Sequence, residues 1–195
     1  MERNTTVAVI GGGAAGLTAA LFLARAGILC EVFDQDRSIL KRARLENLPG
    51  AHDLEGRDLL TQLRTSLAEK EVPATTHKVD DVVPTSAGFT VHVGDDRISA
   101  AYIVLATGQG TLKLASLAVE MADARQPFVK VNVVTNRWGA TSVPGVWAAG
   151  VVAGWPSQAV VCAGSGASVA IEIASLVKGE FWVDHDDSHV VSEPE

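Results

Sequence analysis

Residues 7–34 read VAVIGGGAAGLTAALFLARAGILCEVFD. Val7-Ala8-Val9-Ile10 is a short apolar strand, and Gly11-Gly12-Gly13-Ala14-Ala15-Gly16 follows it directly. Residues 17–26 are rich in Ala and Leu and read as a helix, with Gly27 as its C-terminal cap. Residues 28–33 form a second apolar strand that ends at Asp34. Strand, glycine turn, helix and strand in this order make a βαβ unit. Within the turn, Gly11-x-Gly13-x-x-Gly16 has a mechanical logic. The first glycine permits the tight turn, the second lets backbone approach a pyrophosphate, and the third lets helix pack on strand. The helix N-terminus adds free N–H groups and partial positive charge. Asp34, eighteen residues after Gly16, suits hydrogen bonds to a ribose diol. The stretch therefore predicts an α/β fold holding a dinucleotide, and by itself it does not separate NAD from FAD.

The chain around this unit sets further bounds. Its 195 residues suit one domain with a sizeable core. A net charge of −7 argues against nucleic acid or an anionic membrane surface as partner. Cys30 and Cys162 form neither a CxxC nor a metal pattern, and read as buried thiols of a reducing, cytoplasmic setting. No secretory leader precedes the strand that starts near Thr6, and no glycine-free apolar run is long enough to span a bilayer. Residues 54–71 carry helical spacing. Residues 89–93 alternate like a half-buried strand, and Gly94-Asp95-Asp96 turns the chain into residues 97–99 as a hairpin. Residues 102–106 read as a buried central strand ending at Thr107-Gly108. Residues 112–127 show little pattern and read as a linker or a short helix. Strands are expected at 128–134 and 146–149, and a small-residue helix at 156–178 with Gly179 as its stop. Residues 184–195 are an acidic, mobile tail. Its Asp184-His185-Asp186-Asp187-Ser188-His189 run could hold a metal, but a solvated tail is the stronger reading, and no metal is expected.

Five segments together resemble the thioredoxin reductases and related pyridine nucleotide–disulfide oxidoreductases. They are VIGGGAAGLTAALFLARAG at the start, ENLPG at 46–50, IVLATG at 103–108, TSVPGVWAAG at 141–150 and PSQAVVCAGSGASVAIEI at 156–173. The resemblance implies a three-layer, Rossmann-like FAD-binding fold, with a parallel central sheet and a small antiparallel β-layer at about 79–100. It implies one FAD domain over residues 1–183, with halves 1–108 and 128–183 joined by a linker at 109–127. On that resemblance Gly11, Gly13, Ala14, Ala15 and Gly16 hold the pyrophosphate, and Asp34 with Gln35 meets the adenosine ribose. The backbone near Val79 lies against adenine, Asn47 sits by the ring system, and Thr107-Gly108 closes over the cofactor. Gly150 and Val151 meet the ribityl-phosphate part. Gln158 and Ala159 face the pyrimidine end of the flavin, where a helix N-terminus favours the negative charge of a reduced ring.

Four departures shape the expected function. Twenty residues, 109–128, stand where the family inserts its NADPH domain, too few for a second dinucleotide fold. The redox CxxC is absent; Cys162, one helical turn from Gln158, either shares a face pointing toward the ring or is a small buried helix residue. The family's glycine pair and glutamine are replaced by residues 36–45, DRSILKRARL, whose Lys41, Arg42 and Arg44 form a solvated basic face unless one contacts the cofactor. The family's AAGD is AAGV, so Val151 forgoes a hydrogen bond worth on the order of 1–3 kcal/mol. Trp155 either stacks near the flavin or packs under the last helix. The expected protein is a small FAD-binding oxidoreductase, without its own NAD(P)H domain and with no catalytic side chain assigned. It takes electrons from a redox partner protein or a diffusible reductant. The alternative is a non-catalytic FAD or adenine-dinucleotide module that acts by association. Self-association into a homo-oligomer is expected through apolar surface left by the missing domain.

Overall fold

The computed structural model describes residues 2–109 and 115–185. Strand β1 (Glu2–Ile10) runs through the middle of the main sheet. Val7, Ala8 and Val9 are fully buried, as expected of a strand covered on both faces. β2 (Cys30–Phe33) pairs parallel to it, with Val7 opposite Cys30 and Ile10 opposite Phe33. Helix α1 (Ala14–Arg25) crosses between them. The opening stretch thus forms the βαβ unit its pattern predicts.

β3 (Arg44–Leu45) and β4 (Leu54–Glu55) form a small antiparallel pair outside the main sheet. Helix α2 (Gly56–Glu69) falls within the span predicted as helical, and β5 (Ala74–Thr75) adds to the outer edge of β2. β6 (Asp81–Thr85) and β7 (Gly88–Val93) form a meander with β8 (Asp96–Leu105). The sheet order is β5-β2-β1-β8-β7-β6, with β11 (Val146–Ala148) also on β8. The predicted strands at 97–99 and 102–106 are one strand, β8. One edge of β8 runs parallel to β1 along its length. Its other edge takes β7 antiparallel at Asp96–Ala100 and β11 parallel at Ile103–Leu105. The antiparallel layer is therefore continuous with the parallel sheet.

The two faces of β1 separate two cores, because side chains alternate along a strand. Val7 and Val9 face a core shared with Leu17 and Leu23 of α1 and Ile173 of helix α3 (Ala159–Lys178). Ala8 and Ile10 face a second core with Phe33, Val82, Phe89 and Ile98. α3 is the one helix among the described residues long and apolar enough to cross a bilayer, and it packs against α1 with Val169, Ala170, Ile173 and Ala174 buried. The contact is close: a Cβ at Gly166 would lie 2.1 Å from the Ala15 carbonyl oxygen.

The bridge between the halves is more ordered than its sequence suggests. Residues Ala115–Leu117 form a 3-10 turn. β9 (Met121–Asp123) then pairs antiparallel with β10 (Val131–Val133), the latter shorter than the predicted 128–134. All three β9 residues are exposed, so no buried–exposed alternation marks the strand. Residues 110–114 of the bridge and 186–195 of the tail lie outside the described residues. Asp184, expected at the start of a mobile tail, is ion-paired with Arg25 of α1.

Candidate cofactor site

A cleft of about 400 Å³ opens where α1 and α3 begin, within the usual ligand-pocket range of roughly 300–1,000 Å³. The glycine turn delivers α1 to its wall. At Gly11, φ is +117°, and an added Cβ would lie 2.2 Å from the Ala106 carbonyl oxygen. At Gly16 it would lie 1.9 Å from the Gly11 oxygen, so helix and strand touch backbone to backbone. Gly13 differs: φ is −86°, and a Cβ there would meet only the Ser38 hydroxyl, at 3.5 Å. Gly11 and Gly16 shape the turn from behind, while Gly13 faces the cleft.

Nine of the sequence-predicted residues line this one cleft: Gly13, Ala14, Ala15, Asn47, Gly108, Gly150, Val151, Gln158 and Ala159. Ser38, Arg44 and Cys162 line it too. Gly11, Gly16, Asp34, Gln35, Val79 and Thr107 are not part of the wall. Val79 is buried in the second core. Gln35 is exposed beside Asp34. The Thr107 hydroxyl is buried with no hydrogen-bond partner among the described residues. Trp155 is 42% exposed and outside the wall, its carbonyl oxygen accepting a 2.7 Å hydrogen bond from Gln126 Nε2.

Two helix N-termini border the cleft. Neither Gly13 at the start of α1 nor Gln158 at the start of α3 caps its helix with a side chain. Neither first turn carries an acid. The first N–H groups of a helix lack intrahelical partners and carry partial positive charge. Asn47 Nδ2 donates a 2.9 Å hydrogen bond to Gln158 Oε1 across the cleft, joining segments 111 residues apart.

On the α3 side, Gly150 takes φ of +73°, and its N–H donates to Ser165 Oγ at 2.9 Å. Ser165 in turn donates to the Cys162 carbonyl oxygen at 2.7 Å. Val151 is 6% exposed and belongs to the first core, so this part of the wall is apolar. Burial pushes the Cys162 thiol above its ordinary range, and Cys162 Sγ donates to the Pro156 carbonyl oxygen at 3.5 Å. Cys30, deeper still, is pushed up to about 12 by burial. Neither thiol is poised as a nucleophile.

Asp34, 8% exposed, sits directly over Gly12, where a Cβ would lie 2.1 Å from its Oδ2. Its Oδ1 accepts the Asp36 N–H at 2.9 Å, and its Oδ2 accepts Arg64 Nη2 at 2.8 Å. Sequence reasoning missed Gly12, Ser38 and Arg64. The triple glycine was a visible signal for Gly12; nothing in the helix pattern of residues 54–71 singles out Arg64. Of the basic stretch, Arg44 lines the cleft but is ion-paired with Asp53, and Lys41 is ion-paired with Asp36. Among the described residues, no three His, Cys, Asp or Glu side chains are grouped to hold a metal. Residues 186–189 of the His/Asp run lie outside that description.

This geometry fits the phosphate and ring-system part of a dinucleotide, while Asp34, Gln35 and Val79, expected at the adenosine part, lie outside the cleft wall. Gly13 leaves room for a phosphate at an uncapped helix start, Asn47 and Gln158 offer polar groups, and the cleft reaches from one helix N-terminus to the other. Known proteins share the sequence pattern and the fold. The sequence pattern of the pyridine nucleotide-disulphide oxidoreductases matches residues 5–128. A ferredoxin–NADP reductase of Lactobacillus helveticus is 28% identical over 149 residues, which are 73% of this chain and 47% of that one. A thioredoxin reductase of Mycolicibacterium smegmatis is 32% identical over 106 residues, 52% of this chain and 34% of that one. The chain thus spans less than half the length of these curated relatives. Among solved structures, a thioredoxin reductase from Gloeobacter violaceus has the same fold, with a TM-score of 0.82 at 18% identity over 95% of this chain and 99% of that one. The atypical thioredoxin reductase of Desulfovibrio vulgaris Hildenborough gives 0.79 at 18% identity, covering 90% and 99%.

Proposed function

The chain belongs to the pyridine nucleotide-disulphide oxidoreductases, a family of FAD-binding flavoproteins, and we propose that it is a small FAD-binding oxidoreductase that takes electrons from outside itself. The observation that carries the reading is the cleft bounded by two uncapped helix N-termini, with Gly13 at one and Gln158 at the other. The N–H groups at the start of α1 would bind the pyrophosphate, and Asp34 the adenosine ribose. Gly150, held by Ser165, would bring backbone against the ribityl chain without a side-chain carboxylate. Asn47 and Gln158 would orient the ring, and the partial positive charge of α3 would favour negative charge at its pyrimidine end. Bound FAD supplies the redox chemistry itself.

The electron source follows from what the bridge can hold. Between Gly108 and β10, the described residues contain a 3-10 turn and a short hairpin, and a second glycine turn of the GxGxxG kind is not in the sequence. This content of the bridge supports a partner protein or a diffusible reductant as the donor. The two buried, unpaired cysteines fit a reducing, cytoplasmic setting. The exposed Phe128 and Trp155 offer apolar surface for a partner or a second copy.

Val151 favours a second reading, a module that binds FAD and acts by association without turnover. Cofactor extraction tests the shared premise: the protein is purified, denatured by heat, and the released flavin identified by chromatography. One FAD per chain is expected. A protein that releases none, and takes up none when FAD is added, removes the proposal. Repeated reduction and reoxidation of the bound flavin by a dye couple then separates a redox protein from an inert binder.

A further inference from the structure

The acid at the end of β2 is held by a residue far from it in sequence. Arg64 lies on α2, whose start rests on the 3-10 turn Ile39–Arg42: a Cβ at Gly56 would lie 1.9 Å from the Leu40 carbonyl oxygen. From there a single nitrogen, Nη2, donates to Asp34 Oδ2 at 2.8 Å and to Asp36 Oδ1 at 2.8 Å. Asp36 adopts φ of +57°, and its N–H closes back on Asp34 Oδ1 at 2.9 Å. Lys41 takes the other Asp36 oxygen. Two adjacent acids would repel, and Asp34 is nearly out of water, so each needs a cation. Lys41 and Arg64 supply them, and Lys41 first and Arg64 second hold the Asp36 carboxyl below the usual range.

Each Asp34 oxygen accepts one of these bonds, and a carboxylate oxygen has two acceptor sites. The partners come from the Asp36 backbone and from α2; neither Asp34 nor Arg64 is in the cleft wall, and the Asp34 side chain keeps 12% exposure. One acceptor site on each oxygen would remain for a ribose that reaches this exposed edge, with the carboxylate plane fixed beforehand.

We propose that Arg64 is a positioning residue for Asp34, and that through it the site selects flavins carrying an adenosine half over flavin mononucleotides. This rests on the FAD reading above. Arg64 lowers the cost of binding a ribose diol by pre-ordering the acid, in the way a second hydrogen-bonded group orients a ligand-binding one. FMN has no adenosine ribose and gains nothing from it; ADP has one and gains as FAD does.

The test titrates apoprotein with FAD and FMN by flavin fluorescence, and with ADP by displacement of FAD. The proteins are wild type, R64A, R64K, D34A and the double variant D34A/R64A. R64A should weaken FAD and ADP by roughly tenfold, because the acid must then be ordered at the moment of binding, and leave FMN within about twofold. R64K should recover part of the loss. On the D34A background, R64A should change FAD affinity by less than about twofold, because the residue it positions is gone. FAD affinity unchanged in R64A, or an equal loss with and without Asp34, or a parallel loss for FMN, overturns the inference. If R64A does not fold, R64K and R64Q give the same comparison. Wild type that binds no FAD at all refutes the cofactor reading instead.

Discussion

Gly13→Ala separates binding from folding at one atom. The backbone there has φ −86° and ψ −172°, extended values any residue adopts. The added methyl would meet the Ser38 hydroxyl at 3.5 Å, an ordinary contact. Alanine is a worse helix N-cap than glycine by about 0.5–1 kcal/mol, and it stiffens the unfolded chain by about 0.4–1 kcal/mol in compensation. Apoprotein stability should therefore move by less than about 1 kcal/mol, or roughly 2–4 °C in Tm for a chain of this size. Binding should suffer far more, because the methyl occupies the approach of a phosphate to the start of α1. Loss or lengthening of one or two charge-assisted hydrogen bonds costs roughly 2–4 kcal/mol, or about 30- to 1,000-fold in FAD affinity. Gly16→Ala is the contrast: its Cβ would lie 1.9 Å from the Gly11 oxygen, so helix and strand must separate and the apoprotein itself should fail. The assays are thermal melting of apoprotein and titration with FAD. G13A with wild-type FAD affinity, or G13A as unstable as G16A, refutes the placement of the phosphate.

Other outcomes follow from the same geometry. Val151→Asp puts a carboxylate at a 6% exposed position of the cleft wall. Apoprotein should melt lower, FAD should bind up to about tenfold tighter, and unchanged or weaker binding would show a pocket rebuilt around valine. Cys162 should be alkylated slowly at neutral pH: burial raises its thiol, so the reactive thiolate gains ground only as pH climbs beyond the ordinary thiol range. Fast labelling at pH 7, read by mass spectrometry, would reopen a redox role for it. Gly166→Ala drives a methyl to 2.1 Å from the Ala15 carbonyl, prising α3 from α1, and should lower both Tm and FAD affinity. Ile173→Ala, fully buried on the same interface, should cost about 2–5 kcal/mol by denaturant unfolding.

The glycine turn was legible because its spacing is local, even though the clash that demands Gly11 comes from Ala106. Gly11, Gly13 and Gly16 sit between a run of apolar strand residues and an Ala/Leu helix; the restriction at Gly11 and Gly16 is steric, and at Gly13 it comes only from the ligand. The same holds for β1 and α1, whose buried faces follow simple periods. β9 was not legible, since its three residues are exposed and its pairing with β10 is the only thing that makes it a strand. β8 reads as two pieces because its outer edge changes partner at its midpoint, and the sequence alternates in one half and runs apolar in the other. Arg64 was beyond reach for a different reason. Its partners lie 28 and 30 residues away, and an exposed-face arginine on an amphipathic helix looks like any other. Gly12 could have been found, since a third glycine beyond the spacing requirement needs its own explanation, and Asp34 is that explanation.

The visible spectrum of the purified, FAD-loaded protein during reduction tests the central claim most directly. The expected result is a yellow protein that dithionite bleaches and that NADH or NADPH alone leaves oxidised. Rapid bleaching by NADPH alone would contradict the claim that the electrons must come through another donor, and a protein with no flavin absorption after incubation with FAD would contradict the cofactor site itself.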